Sequence, residues 1–294
     1  MNLCRHLSRE SLKALVAKRK AQHKSKRGRK PKMRRPIPPK ALERKYRKKL
    51  QPYLNAMHAL VQSHLLPRLP GIMAQVKQLR GDAVLHHDGP LEDAATIFDI
   101  MRARLEQAWG DQELEEIARE LGTDVVSYAT EQLRAQLGDA LGETPFLSVT
   151  PGMDLAAKGF VKDNVRLIQT ISDRYFGEIE TLVNDAVRSG RATDSLSNEI
   201  EDRYEVSESR ADLIARDQIS KLNGDIAEAQ QTDLGITQYV WRTALDNRVR
   251  ESHADLEGQI FDWDDPPPDG HPGEPISCRC TAEPIIPEAD DVEG

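Results

Sequence analysis

Between residues 154 and 189 the apolar side chains keep a helical spacing, with Phe160, Ile168, Ile171, Tyr175, Ile179, Leu182 and Ala186 falling on one face. A run of that length predicts one long amphipathic helix, and such a helix must bury its stripe against other helices. The feature points away from an all-β design. Composition agrees: 38% of residues are apolar, 5% aromatic and 30% charged. That is a lean core for the length, suited to helices with broad solvated faces.

The same periodicity recurs on both sides. Upstream, Ala94, Ile97, Met101, Leu105 and Ala108 form one stripe, and Leu114, Ile117, Leu121, Val125 and Tyr128 form another, with Gly138 as the expected stop. Residues 138–153, "GDALGETPFLSVTPGM", break the pattern with prolines and glycines and read as a linker. Downstream, Gly190 is expected to end the long helix. A shorter helix is expected over about 195–204, with Leu196 and Ile200. Another follows over 207–233, starting at Ser207 or Ser209, burying Leu213, Ile214, Ile219, Leu222 and Ile226 and stopping at Gly235. Apolar stripes of this kind are core rather than cofactor sites.

Charge is distributed unevenly. The first 50 residues hold 20 Lys and Arg against 2 Asp and Glu, whereas the remainder holds 21 against 46. Residues 1–40 read as a basic disordered arm, because "KRKAQHKSKRGRKPKMRRPIPPK" offers almost nothing to bury. Clustered cations of this density fit a polyanion, and nucleic acid or an acidic protein surface would meet Lys18, Arg19, Lys20, Lys24, Lys26, Arg27, Arg29, Lys30, Lys32, Arg34 and Arg35. The bland alternative is a solubilising or processed tail. No aromatics interleave, so base stacking is not expected. Neither a membrane span nor a secretory signal is expected, and three cysteines, an odd number, do not make a disulfide framework. Synthesis in a reducing cytosol follows.

After Gly235 the texture changes. "TQYVWRTAL" and "GQIFDW" read as strands, "DDPPPDGHPG" as a loop, and "EPISCRCTAEPII" as a third strand with Ile276, Cys278, Cys280 and Ala282 on one face. Between the first two, Asp246 is a candidate cap for a helix presenting Val249, His253 and Leu256. The fold class is therefore mainly α with a small C-terminal α+β domain: a helical region over 41–140, a linker over 141–153, helices over 154–234, an α+β unit over 235–286 and an acidic tail over 287–294.

Two cysteines at i and i+2 on one strand face can both reach a tetrahedral Zn²⁺. His253 is the natural third ligand, with His271 or a nearby Asp as the fourth. The competing reading is a buried cysteine pair with His253 bonded to backbone. A disulfide between Cys278 and Cys280 would be strained. His253 with Asp246, Asp255 and Asp262 can also be drawn as a metal-dependent hydrolase, a zinc-dependent nuclease or toxin-like domain. However, no HExxH, phosphate-binding loop or nucleophile elbow accompanies them, so an enzyme is not expected.

The order of motifs in 215–280 is distinctive. Ala215, Arg216, Asp217 and Gln218 open a helix segment, and Gly235 and Ile236 make a turn. Trp241 and Thr243 close a strand, Asp246, Arg248, Arg250 and His253 follow, Gly258 precedes an apolar strand, and Cys278, Arg279 and Cys280 end the series. In this order and spacing the chain from about 160 to 286 resembles the phage head-morphogenesis family, the minor head proteins typified by protein F of phage Mu. One departure is that "GEPIS" separates His271 and Pro272 from Cys278, where the family often has His-Pro-Asn directly before Cys-Arg-Cys. The resemblance implies a Mu F-like domain over 154–286 and a minor capsid protein of the virion. Its implied partners are the portal, the major capsid or scaffolding protein, and packaged DNA, with no membrane.

Overall fold

The computed structural model describes residues 7–23, 33–81, 89–189 and 193–287. The described chain is mainly helical, with one small antiparallel sheet near its C-terminus. In order, the elements are α1 (Arg9–His23), α2 (Lys40–Leu60), α3 (Leu69–Gly81), α4 (Gly89–Ala108), α5 (Asp111–Leu141), α6 (Pro151–Ser189), α7 (Thr193–Asp233), β1 (Gln238–Arg242), α8 (Glu251–Ala254), β2 (Ile260–Asp262) and β3 (Thr281–Pro284). A π-helical segment, Val61–Leu65, separates α2 from α3. No helix among the described residues is long and apolar enough to cross a membrane.

The chain forms two compact units that do not follow the linear boundaries expected at 41, 141 and 154. One comprises Arg44–Ala118 and Lys162–Ala215; the other gathers Met1–Glu43, Arg119–Val161 and Arg216–Gly294. The reason lies in helix length. The 39-residue α6 and 41-residue α7 each run roughly 60 Å at 1.5 Å per residue, and each contributes residues to both units, α6 on either side of Val161 and α7 on either side of Ala215.

The unit built on residues 44–118 and 162–215 buries Tyr46, Leu50, Tyr53, Met57, Phe98, Met101, Tyr175 and Phe176. Its tyrosine hydroxyls are satisfied internally: Tyr46 donates to Asn164 at 2.5 Å and Tyr53 to Ser172 at 2.8 Å. Burial alone pushes the Tyr46 hydroxyl well above its usual range. Within α7 the expected break near Ser207 is absent, and the two predicted helices are one. The Ser207 hydroxyl, instead of capping a new helix, donates back to the Arg203 carbonyl at 3.0 Å, the bond a mid-helix serine makes.

The other unit opens with a correction. The arm expected to be disordered contains α1, whose Leu12, with Leu7 just before it, is buried against Leu133, Leu137 and Leu141 of α5 and against Leu234 and Ile236. The basic run hid an apolar stripe. Farther along, Arg34 clasps Asp139 through Nε and Nη2 at 2.7 and 2.8 Å, and Tyr128 donates to the Ile37 carbonyl at 2.7 Å. Helix α5 runs past the predicted stop at Gly138 to Leu141, and the left-handed Gly142 (φ 79°) ends it. The expected stop of α7 at Gly235 is found: Gly235 has φ 75°, and the Ile236 N–H reaches back to the Gln231 carbonyl at 2.8 Å.

The sheet has order β2-β1-β3, antiparallel throughout, with Tyr239 opposite Phe261 and Trp241 opposite Ala282. Its core comprises Tyr239, Trp241, Trp263, Cys278, Cys280 and Ala282. The third strand begins only at Thr281, so Cys278 and Cys280 do not sit on a strand. They occupy the turn before it, where Ser277 takes a left-handed φ of 57°. Asp246 caps no helix; α8 starts after Arg250 and lasts one turn.

Candidate metal centre

Three backbone features deliver His253, Cys278 and Cys280 to one point. The one-turn α8 carries His253 under the Trp241 indole, edge to face at 5.3 Å between ring centroids. The segment 271–274 lies directly on α7: a Cβ on Gly273 would come within 2.6 Å of the Ser220 carbonyl, and one on Gly224 within 2.6 Å of the Pro272 carbonyl. With φ at 107°, Gly273 also needs a conformation that other residues avoid. Finally, Asp217 on α7 accepts the Ser277 N–H at 2.9 Å, fixing the turn from which both cysteines project.

The resulting cluster is tight and buried. His253 is 2% exposed, Cys278 3% and Cys280 6%. Both thiols are free. His253 Nδ1 lies 3.6 Å from the Cys278 sulfur and 3.5 Å from the Cys280 sulfur. A tetrahedral ion with Zn–S of about 2.3 Å and Zn–N of about 2.0 Å places nitrogen and sulfur about 3.6 Å apart. Both nitrogen–sulfur separations therefore already match the edges of such a tetrahedron, and all three donors lie within 4.8 Å of one another.

The surroundings favour thiolate at Cys278. Cys278 is held below the usual thiol range chiefly because the Cys280 thiol donates to it, helped by the N–H groups of Cys280 and Gly273. Cys280 is pushed up by that same bond and by burial, against which the Trp241 indole N–H pulls downward. That N–H is buried without a regular hydrogen bond of its own. On the far side of the imidazole, Asp269 Oδ2 stands 3.6 Å from His253 Nε2, which is otherwise unpartnered. A carboxylate there favours the tautomer that leaves Nδ1 free to ligate.

His271 belongs elsewhere. Its Nδ1 meets the Tyr239 hydroxyl at 2.9 Å, its ring packs on Trp263, and its N–H donates to Glu274 at 2.6 Å. It supports the sheet and is not part of the cysteine cluster.

The other motif residues form a brace around the centre. Arg279 forks onto Asp246 at 2.5 and 2.6 Å, and the Arg248 N–H donates to Asp246 at 3.1 Å. Half-buried Glu43 feels Arg216, Arg279, Lys40 and Arg248 together, although burial still raises its carboxyl. Thr243 donates through both N–H and hydroxyl to Glu257, at 2.7 and 2.8 Å. Gly258 (φ 82°) turns the chain into β2, Gln218 donates to Asp217 at 3.1 Å, and Ala215 is buried in α7. Asp269, Glu257 and Glu43 were not singled out from sequence. They sit among so many other acidic residues that no spacing distinguishes them.

Of the cations expected to contact nucleic acid, Lys18, Arg19 and Lys20 lie on α1, and Arg19 reaches the Asp139 carbonyl at 3.5 Å. Arg34 is engaged with Asp139, and Arg35 clamps Glu257 at 2.7 and 2.9 Å while donating to the Thr243 carbonyl. Lys24, Lys26, Arg27, Arg29, Lys30 and Lys32 lie outside the described residues.

With this geometry in place, comparison with known proteins identifies the segment that carries it. Residues 177–283 match the family described as Phage Mu protein F like protein. The Mu F-like segment thus contains α7, β1, β2, all but the last residue of β3 and the three candidate ligands. An uncharacterized protein of Haemophilus influenzae (strain ATCC 51907 / DSM 11121 / KW20 / Rd) is 37% identical over 142 residues, 48% of this chain. The matched stretch spans about a third of that relative's length, 32%. No solved structure matches.

Proposed function

We propose that this chain is a structural protein of a tailed-phage head, a minor capsid component whose Mu F-like unit is stapled by one Zn²⁺. The reading rests first on the match over residues 177–283. It is supported by where the chemistry sits: the cluster of His253, Cys278 and Cys280 ties α8 and the turn before β3 to the sheet, as a structural ion does. Zn²⁺ is the ion whose preferences for thiolate, imidazole and tetrahedral geometry this donor set meets. The sheet's core is six buried residues, two of them the cysteines themselves, and a metal staple would reinforce so small a core.

In this role the protein acts inside the virion beside the portal and the capsid lining. The basic sequence of residues 24–32 supplies charge suited to packaged DNA. The test is mass spectrometry of purified heads separated from tails. The chain is expected in DNA-filled heads at a copy number far below that of the major capsid protein, and cross-linked to the portal. Its absence from heads would overturn the proposal.

A further inference from the structure

The candidate centre offers three protein donors, while a tetrahedral ion has four positions. His271 is committed to Tyr239, and Asp269 faces the opposite nitrogen of His253. Among the described residues no other His, Cys, Asp or Glu joins the group. What borders the three donors instead is a cleft of about 260 Å³, counted out to open solvent and walled by Arg248, Val249, Arg250, Ser277 and Arg279.

The charges of this cleft favour one class of visitor. Two thiolates neutralise a divalent ion, and Asp246 neutralises Arg279. Arg248 and Arg250 make no ion pair with a carboxylate among the described residues; Arg248 shares the field of Glu43 and Arg250 donates to the Ile276 carbonyl, which leaves further guanidinium N–H groups on this wall for a carboxylate. The Ser277 hydroxyl is buried there without a hydrogen-bond partner, and a buried hydroxyl in that state calls for a ligand or water to meet it. A closed four-ligand site needs none of these features.

Building on the metal reading above, we propose that the fourth position is exchangeable and takes a carboxylate oxygen from outside the chain. The Ser277 hydroxyl and the guanidiniums of Arg248 and Arg250 hold its second oxygen. Arginine's paired donors match a carboxylate geometrically, which a lysine wall would not. The carboxylate belongs either to a small free acid or to an Asp or Glu of a neighbouring protein.

The experiment uses full-length protein loaded with Co²⁺ in place of Zn²⁺. Its visible absorption is followed while acetate is added at constant ionic strength, and separately while an Asp-containing hexapeptide is added. A saturable spectral change with either is expected, and a far tighter response to the peptide assigns the ligand to a partner protein. Arg248→Ala and Arg250→Ala should each weaken the response roughly three- to tenfold, while Cys4→Ser leaves the spectrum unchanged. Stoichiometric Co²⁺ with a spectrum indifferent to both probes overturns the proposal. So does a spectrum altered by Cys4→Ser or by removal of residues 288–294, since the fourth ligand would then belong to the chain. Failure to bind Co²⁺ at all would instead remove the metal reading itself.

Discussion

Asp246 receives both terminal nitrogens of Arg279, at 2.5 and 2.6 Å, from the residue lying between the two cysteines. The side chain between the two candidate ligands is thereby tied to the loop after β1, so the metal turn and that loop move as one piece. Arg279→Lys keeps the charge but loses the fork, and should destabilise the fold by about 1–3 kcal/mol, read as a lowered urea midpoint.

The same pair gives a pH dependence with a definite sign. The Arg279 guanidinium holds the Asp246 carboxyl well below the usual carboxylate range. A carboxyl lowered on folding stabilises above its unfolded pKa of about 3.9, and the contribution fades as pH falls below that value. Acid unfolding of the native protein should therefore be steeper below pH 4 than that of Asp246→Asn. Parallel curves would contradict the assignment.

Metal content tests the centre directly. Purified protein should carry about one Zn²⁺ per chain, and chelation should lower its thermal midpoint. Cys278→Ser and Cys280→Ser should each abolish stoichiometric binding. Asp269→Asn, which removes only the charge behind His253, should weaken affinity roughly ten- to a hundredfold in a competitive chelator titration. Metal-free protein whose melting is indifferent to chelator would refute the zinc staple.

Backbone contact between α7 and the 271–274 segment is a separate requirement. Gly273→Ala places a Cβ against the Ser220 carbonyl at a strained φ, so a loss of roughly 1–3 kcal/mol and weaker metal binding are expected. Gly159→Ala, where a Cβ meets nothing within 4 Å, is the matched control and should be neutral or slightly stabilising.

The N-terminal correction has its own test. If Leu12 is core, Leu12→Ala should cost about 2–4 kcal/mol, measured by chemical denaturation. A free arm would tolerate it without change.

Much of this was legible from the residues. The stripes at 94–108, 114–128 and 160–186 are long enough for periodicity to decide them, and β1 and β2 follow from β-branched and aromatic content. The pairing of His253 with both cysteines was also readable, because thiol and imidazole are rare enough here for spacing to carry information. What escaped reading was set by distant partners. Helix α1 hides one buried face under basic residues, and only Leu133 and Leu137, over a hundred positions away, reveal it. Ser207 looks like a cap because sequence cannot show that its hydroxyl turns back to Arg203. The cysteines sit in a turn because Asp217 on α7 draws in the Ser277 backbone, a long-range bond that alternation cannot express.

The division of the chain also has a consequence for its synthesis. One unit is assembled wholly from residues 44–215, whereas the other needs segments from within 1–43, 119–161 and 216–294. On the ribosome the first can close while translation continues, as domains commonly do. The second cannot be completed until residues 216–284 emerge, so the cluster of Leu12, Leu133 and Leu137 lacks Leu234 and Ile236 meanwhile. Until that closure the nascent protein presents uncovered apolar surface to chaperones and proteases, and the arrival of the two cysteines is among the events that end the interval.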